Sequence, residues 1–179
     1  GGHQYYEGHP KAHPNIDSYR AKGSYYPNGF VTHLDVETAV GHTSIGTGAY
    51  PYQHGVVGNQ FYVKPMGMRG SFIFPPANPA FIDSPSFADV WDLHQNNTPL
   101  IFSYAYASRA SMGMGGHGAF YKGGDKDMVL FYDDKKGVVD TNPAYYHFPD
   151  YLKDLEIKPY LDKLTKGTGI WMEHKIATF

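Results

Sequence analysis

The stretch Glu37-Thr38-Ala39-Val40-Gly41-His42-Thr43-Ser44-Ile45-Gly46-Thr47-Gly48 constrains this chain more than any other. Small residues dominate from Gly41 to Gly48, so a helix formed there lets a neighbour approach to nearly backbone distance, and a tightly packed helix is the expectation. A hydroxyl residue, Thr38, stands at the glycine-containing helix start. Backbone N–H groups and the helix dipole at such a place favour an anion, for example a phosphate. Taken by itself, Thr38 reads equally as a helix cap.

The 179 residues suffice for one domain of ordinary size, and 41% hydrophobic residues can form a core. A mean hydropathy of -0.46 and the absence of any apolar run of 18 residues argue against a membrane span. The start, Gly1 to Tyr6, lacks the charged and apolar regions of a signal peptide. A net charge of -2 without blocks of like charge leaves no electrostatic footprint for a nucleic acid polymer. With no cysteine, a disulfide framework and a thiolate zinc site are both excluded. Ten histidines are present, but none falls in a close ligand pair such as HExxH, so scattered surface and packing roles are expected. The 21 Gly, 13 Pro, 16 Tyr and 11 Phe describe a loop-rich α/β chain whose connections are held by aromatic packing. A non-enzymatic aromatic-rich module binding carbohydrate or protein would share that composition and is the rival reading.

Along the chain, Asn15 to Gly23 reads as a short helix capped by Asn15 or Asp17 and stopped by Gly23. Residues 65–79 hold four prolines and two glycines and read as an irregular loop. Ser84 to His94 reads as a helix capped by Ser84, with Pro85 in its first turn and Phe87, Val90, Trp91 and His94 on one face. Pro99 to Tyr106 then reads as a buried strand, half of a parallel α/β unit. Met128–Tyr132 and Gly137–Asp140 flank Asp133-Asp134-Lys135-Lys136 as a hairpin, and Phe148–Leu164 reads as one or two amphipathic helices. The stretch from Ile170 to Phe179 carries no clear signal.

The run Thr38-x-x-Gly-His-Thr-Ser-Ile-x-Thr-Gly-x-Tyr-Pro-x-x-His-Gly-Val-Val-Gly-Asn59 resembles the nucleophile region of type I phosphodiesterases, nucleotide pyrophosphatases and related bacterial alkaline phosphatases. His13 to Gly23 resembles the helix leading into it. Ser108-Arg109-Ala110 and Gly116-His117 resemble the family's Lys-x-Arg-Ala and Gly-His segment, and Phe148-Pro149-Asp150-Tyr151 its Leu-Pro-x-Trp. The resemblance implies part of a three-layer α/β/α sandwich of alkaline-phosphatase type. Residues 31–62 would be the nucleophile segment of one partial domain, and residues 63–160 a cap insertion. It implies a hydrolase of small-molecule phosphoric esters, working through a covalent phospho-threonine and two divalent ions, zinc by preference, in a periplasmic or extracellular setting. A sulfatase relative is a weak rival, because no Cys/Ser-x-Pro-x-Arg motif is present.

By position, the resemblance makes Thr38 both nucleophile and metal ligand, Asn59 a donor to a phosphoryl oxygen, and Arg109 a phosphate-gripping fork. His42 and His54 take packing and turn roles. Two departures stand out. Ala107 replaces the lysine two positions before the arginine, which implies a preference for singly charged diesters, and Val40 stands where many members have proline. The family's aspartate on a first strand and its later Asp/His pairs are not found. One hydroxyl cannot hold zinc, so no bound metal and no turnover are expected of this chain alone.

Overall fold

The computed structural model describes Gly8 and residues 13–63, 68–71, 77–155, 157–164, 170–171 and 174–175. The chain divides into two units, Gly1–Thr32 and His33–Phe179. The first contains helix α1, Pro14–Lys22, with proline in its first turn. Asn15 and Asp17 lie inside that helix; its N-cap is His13, which makes no capping bond with its side chain. Gly23 does end it, its N–H bonding to the Tyr19 carbonyl.

In the second unit, α2 spans Thr38–Thr47 and closes on Gly48, whose φ of 66° is the left-handed conformation that glycine adopts without strain. Glu37 is the N-cap, so Thr38 is the first helical residue and no cap. Helix α3, Pro51–His54, follows; the N–H of its cap, Tyr50, donates to the Gln53 Oε1 at 3.0 Å and the Gln53 N–H to the Tyr50 carbonyl. Strands β1, Gln60–Val63, and β2, Met68–Ser71, pair antiparallel. Strand β2 falls within the stretch read as a loop: pairing with β1 supplies the order that its own Gly70 does not. Residues 64–67 and 72–76 lie outside the described residues.

Helix α4 spans Phe87–His94. Its cap is Ser86, which accepts from the Asp89 N–H while Asp89 accepts from the Ser86 N–H. Ser84 instead bonds the Gln53 carbonyl. The apolar face of Phe87, Val90 and Trp91 points outward, and the buried side of α4 carries Ala88, Asp89 and Asp92. A helix that buries carboxylates and exposes aromatics inverts the pattern its sequence suggests.

A three-stranded sheet follows, in order β3 (Phe102–Ala105), β4 (Met128–Asp133), β5 (Val138–Asp140). Strand β3 pairs parallel with β4, and α5, Ser108–Gly115, lies in the crossover between them. The hairpin β4–β5 turns at Asp133–Gly137, where Lys136 pairs with Asp133 and Asp140. Within this sheet β4 is the buried strand, Val129 to Tyr132 being covered throughout. Strand β3 alternates, with Phe102 and Tyr104 exposed, because one of its faces has no covering layer among the described residues. The Phe148–Leu164 region holds a short 3-10 turn, Asp150–Leu152, and helix α6, Ile157–Leu164. Two short strands, β6 (Ile170–Trp171) and β7 (His174–Lys175), pair near the end.

The core joins α2, α5 and β4 through Ala39, Val56, Ile82, Met112, Val129, Phe131 and Tyr146. Glycines make this joint possible. A Cβ on Gly46 would lie 2.1 Å from the Gly113 carbonyl oxygen, and one on Gly113 would lie 2.9 Å from the Thr43 nitrogen. Gly115 faces the sheet, where a Cβ would meet Val129 and Ser103. Helix α5 is therefore clasped between α2 and β4 at distances that only glycine allows.

Candidate functional site

The crossing of α2 and α5 places the candidate residues. Thr38 lies one helical turn before His42, and Arg109 one turn before Gly113, whose added Cβ would sit 3.0 Å from the His42 Cβ. Both candidates therefore occupy the first turn of a helix on either side of one joint, and both are half-buried.

Asn59 is bound to the same turn. Its Oδ1 accepts from the N–H of Ala39, the residue after Thr38, at 3.0 Å. That bond uses the amide oxygen and presents the Nδ2 hydrogens, which can only donate. The Asn59 N–H in turn donates to the Glu37 carboxylate, fixing the segment from its other side. Arg109 has a buried Nε with no hydrogen-bond partner among the described residues. A buried guanidinium nitrogen with no acceptor is costly, and an anion with several oxygens would relieve it. One amide donor, one guanidinium and one hydroxyl are thus carried by a helix start, its tether and the neighbouring helix. Such a set can hold a tetrahedral oxyanion against a nucleophile.

The histidines of this region are structural. The His42 Nδ1 donates to the Thr38 carbonyl at 2.8 Å, which a carbonyl can only accept. His54 is fully buried; its Nδ1 accepts from the Val56 N–H at 3.1 Å, which leaves Nε2 to donate to the Ser44 hydroxyl at 3.0 Å. Burial lowers its pKa, in keeping with a neutral ring.

A two-zinc centre at Thr38 does not fit the residues present. Among the described residues, the grouping of three or more His or acidic ligand atoms comes from Asp92, Asp125 and Asp127, with none from residues 31–62. Thr38 contributes one hydroxyl, and zinc requires about four ligands.

A second charged region, not read from the sequence, surrounds α4. His117 is buried, its Nδ1 2.8 Å from the Asp89 carboxylate and its Nε2 2.8 Å from the Ile82 carbonyl. Both partners are acceptors, so both ring nitrogens donate and the ring is an imidazolium. Burial by itself would lower the His117 pKa, but Asp89 and the Ile82 carbonyl hold it above the ordinary value. Burial would likewise raise Asp89, and the His117 bond holds it below. The backbone N–H of His117 adds a third bond to Asp89 at 2.7 Å. Asp127 is pushed up to about 7, by burial first and then by Asp92, Asp125 and Asp89. The available signals were Asp89 and Asp92 one turn apart and the Asp125-Lys126-Asp127 alternation after two glycines; none of these reveals burial.

The pattern that defines the type I phosphodiesterase / nucleotide pyrophosphatase family matches residues 2–177. Alkaline phosphatase PafA of Elizabethkingia meningoseptica is 27% identical over 150 residues, covering 73% of this chain and 26% of that enzyme. The crystal structure of wild-type PafA superposes with a TM-score of 0.63 at 25% identity, covering 75% of this chain and 27% of that one. A PafA variant with a threonine, an asparagine, a lysine and an arginine substituted gives 0.65 at 23% identity, covering 76% and 29%. The likeness establishes an alkaline-phosphatase-like α/β fold, and the chain spans about a quarter of the length of these relatives.

Proposed function

We propose that this chain, which belongs to the type I phosphodiesterase / nucleotide pyrophosphatase family, carries the nucleophile and phosphate-binding part of a phosphoric ester hydrolase. Residues 31–62 are its nucleophile segment and residues 63–160 a cap insertion. Thr38 is the nucleophile. Its hydroxyl oxygen attacks phosphorus, the P–O bond to the leaving group breaks, and the phosphoryl group stays on Thr38 until water displaces it. Asn59 Nδ2 and the Arg109 fork bind non-bridging oxygens as charge builds on them. The divalent ions of such an enzyme, zinc by family resemblance, belong to the longer protein, and Thr38 is the ligand contributed from here.

The observation that carries this reading is the bond from the Ala39 N–H to the Asn59 Oδ1, which ties the Asn59 amide to the first turn of α2, one residue from Thr38. The four residue types substituted in the PafA variant support it. Its threonine and asparagine have the same spacing as Thr38 and Asn59, and its lysine and arginine that of Ala107 and Arg109.

The test is made in the longer protein. Thr38→Ala removes turnover of an aryl phosphate ester while leaving the circular dichroism spectrum unchanged, and Thr38→Ser keeps part of the rate. Wild-type activity in the alanine variant would reduce Thr38 to a first-turn residue.

The alanine at position 107 bears on specificity. Ala107 is the N-cap of α5, so a lysine there would place a second cation beside Arg109. Without it, the site suits a singly charged diester better than a monoester dianion. Ala107→Lys is expected to raise kcat/KM for p-nitrophenyl phosphate relative to its bis-ester by about 1–3 kcal/mol. A wild-type enzyme already faster on the monoester would refute that preference.

A further inference from the structure

The acidic cluster beside α4 has no part in the phosphate chemistry, and its geometry is that of a site rather than of a solvated face. The ligand oxygens of Asp92, Asp125 and Asp127 all lie within 4.8 Å of one another. Asp92 is 2% exposed, and its Oδ1 has no hydrogen-bond partner among the described residues. A buried carboxylate oxygen with no donor is among the costliest groups a core can hold, and a proton, a donor or a cation must answer it. The cation that the sequence places between two of the acids does not do so: Lys126 Nζ donates to the Pro143 carbonyl.

The surroundings leave further oxygens and few donors. Asn97 joins the end of α4 to the loop before β4, its backbone N–H bonding the Asp92 carbonyl at 2.9 Å and its Nδ2 the Gly123 carbonyl at 2.9 Å. Its Oδ1 is then buried without a partner among the described residues. Gly123, with φ of 90°, and Gly124 turn the loop so that Asp125 and Asp127 follow within one short span. Asp125 is exposed while Asp92 and Asp127 are buried, so the cluster opens to solvent on one side.

We propose that Asp92, Asp125 and Asp127 bind a hard divalent cation, calcium by ligand type and tolerance of an irregular cage, that pins the end of α4 to the loop leading into β4. Every donor is an oxygen, which disfavours zinc and copper and suits calcium or magnesium. Calcium accepts six to eight oxygens in an irregular cage, whereas magnesium demands a near-ideal octahedron that two buried carboxylates and one exposed one do not impose. Two buried carboxylates and one exposed one give the ion a protein-bound side and an open side for water.

This inference is independent of the phosphoesterase reading, and its test needs no turnover. The 179-residue chain, stripped with EGTA, is titrated with calcium chloride by calorimetry and followed by thermal unfolding. One calcium per chain is expected, with a dissociation constant of about 10⁻⁵–10⁻³ M. Calcium at ten times that constant is expected to raise Tm by about 3–6 °C. Asp125→Asn, an exposed position that leaves the core intact, is expected to weaken binding at least about tenfold. Asp92→Asn is expected to abolish it. Absence of heat and of any Tm change up to about 10 mM calcium overturns the proposal, as does an unchanged titration in Asp125→Asn. Tighter binding of magnesium than of calcium overturns the assignment of the ion.

Discussion

Two regions of the 33–179 unit hold together by opposite means. Where α2 crosses α5, backbone meets backbone through Gly46 and Gly113, and the side chains on hand are small and mostly neutral. Around α4, buried ionisable groups crowd together: Asp89, Asp92, Asp127 and the imidazolium of His117. The first region is stabilised by fit and tolerates no added volume. The second depends on compensation between Asp89 and His117, where removing one partner strands a buried charge. The candidate phosphate site lies on the first, whose rigidity suits a group that must be held in line for displacement.

The sharpest way to break this contrast is to remove one partner of the buried ion pair. Asp89→Ala leaves His117 without its carboxylate and the α4 start without its capping box, and should cost about 3–5 kcal/mol in urea unfolding. A loss below about 1 kcal/mol would show that the pair contributes little and that α4 is held by its apolar contacts.

Volume tests the other region. Gly46→Ala drives a methyl against the Gly113 carbonyl and is expected to cost about 2–3 kcal/mol. Gly41→Ala, on the same helix with open space around its Cβ, serves as control and is expected to be neutral or stabilising by up to about 1 kcal/mol. Equal effects at the two positions would contradict a close crossing.

The pH dependence separates the regions further, since the buried carboxylates and the imidazolium lie in the charged one. The folded-state pKa of His117 is raised, by its bonds to Asp89 and Ile82 and the nearby charge of Asp83. Its contribution is therefore full below its unfolded value of about 6.5 and is lost as pH rises through the folded value. The folded-state pKa of Asp89 is lowered, so its contribution is present above about 3.9 and is lost as pH falls. Asp127, raised to about 7, also loses its contribution as pH climbs from its unfolded value through that point. In EGTA, stability should fall from mildly acidic pH to about pH 8, and His117→Gln should flatten the upper part of the curve. A flat wild-type profile would mean that these groups are solvated.

The smallest expected effect is at the joint between the two regions. The Tyr146 hydroxyl donates to the Gly116 carbonyl at 2.8 Å, between the end of α5 and His117. Tyr146→Phe should cost about 1 kcal/mol, measured as a shift in the urea midpoint at constant slope.

Much of the fold was legible because local chemistry carried it. Small residues ending in Gly48 specify α2, Gly23 stops α1, and the alternation around Asp133–Lys136 gives the β4–β5 hairpin. The spacing from Thr38 to Asn59 was likewise readable as a motif, since both residues sit on a contiguous segment whose order is fixed by the chain itself. What tertiary structure alone decided is which faces are inside. The sequence of α4 advertises an apolar face, yet the face that is buried carries Asp89, whose partner is His117, and Asp92, which meets Asp125 and Asp127. Ser86 caps the helix, its hydroxyl meeting the Asp89 N–H, while Ser84 lies before the first turn and donates to the distant Gln53 carbonyl. Strand β2 exists because β1 offers it a ladder. Patterns within a few residues reveal what a segment can become; whether a carboxylate is buried depends on groups tens of positions away, brought close only when α5 and β4 have packed.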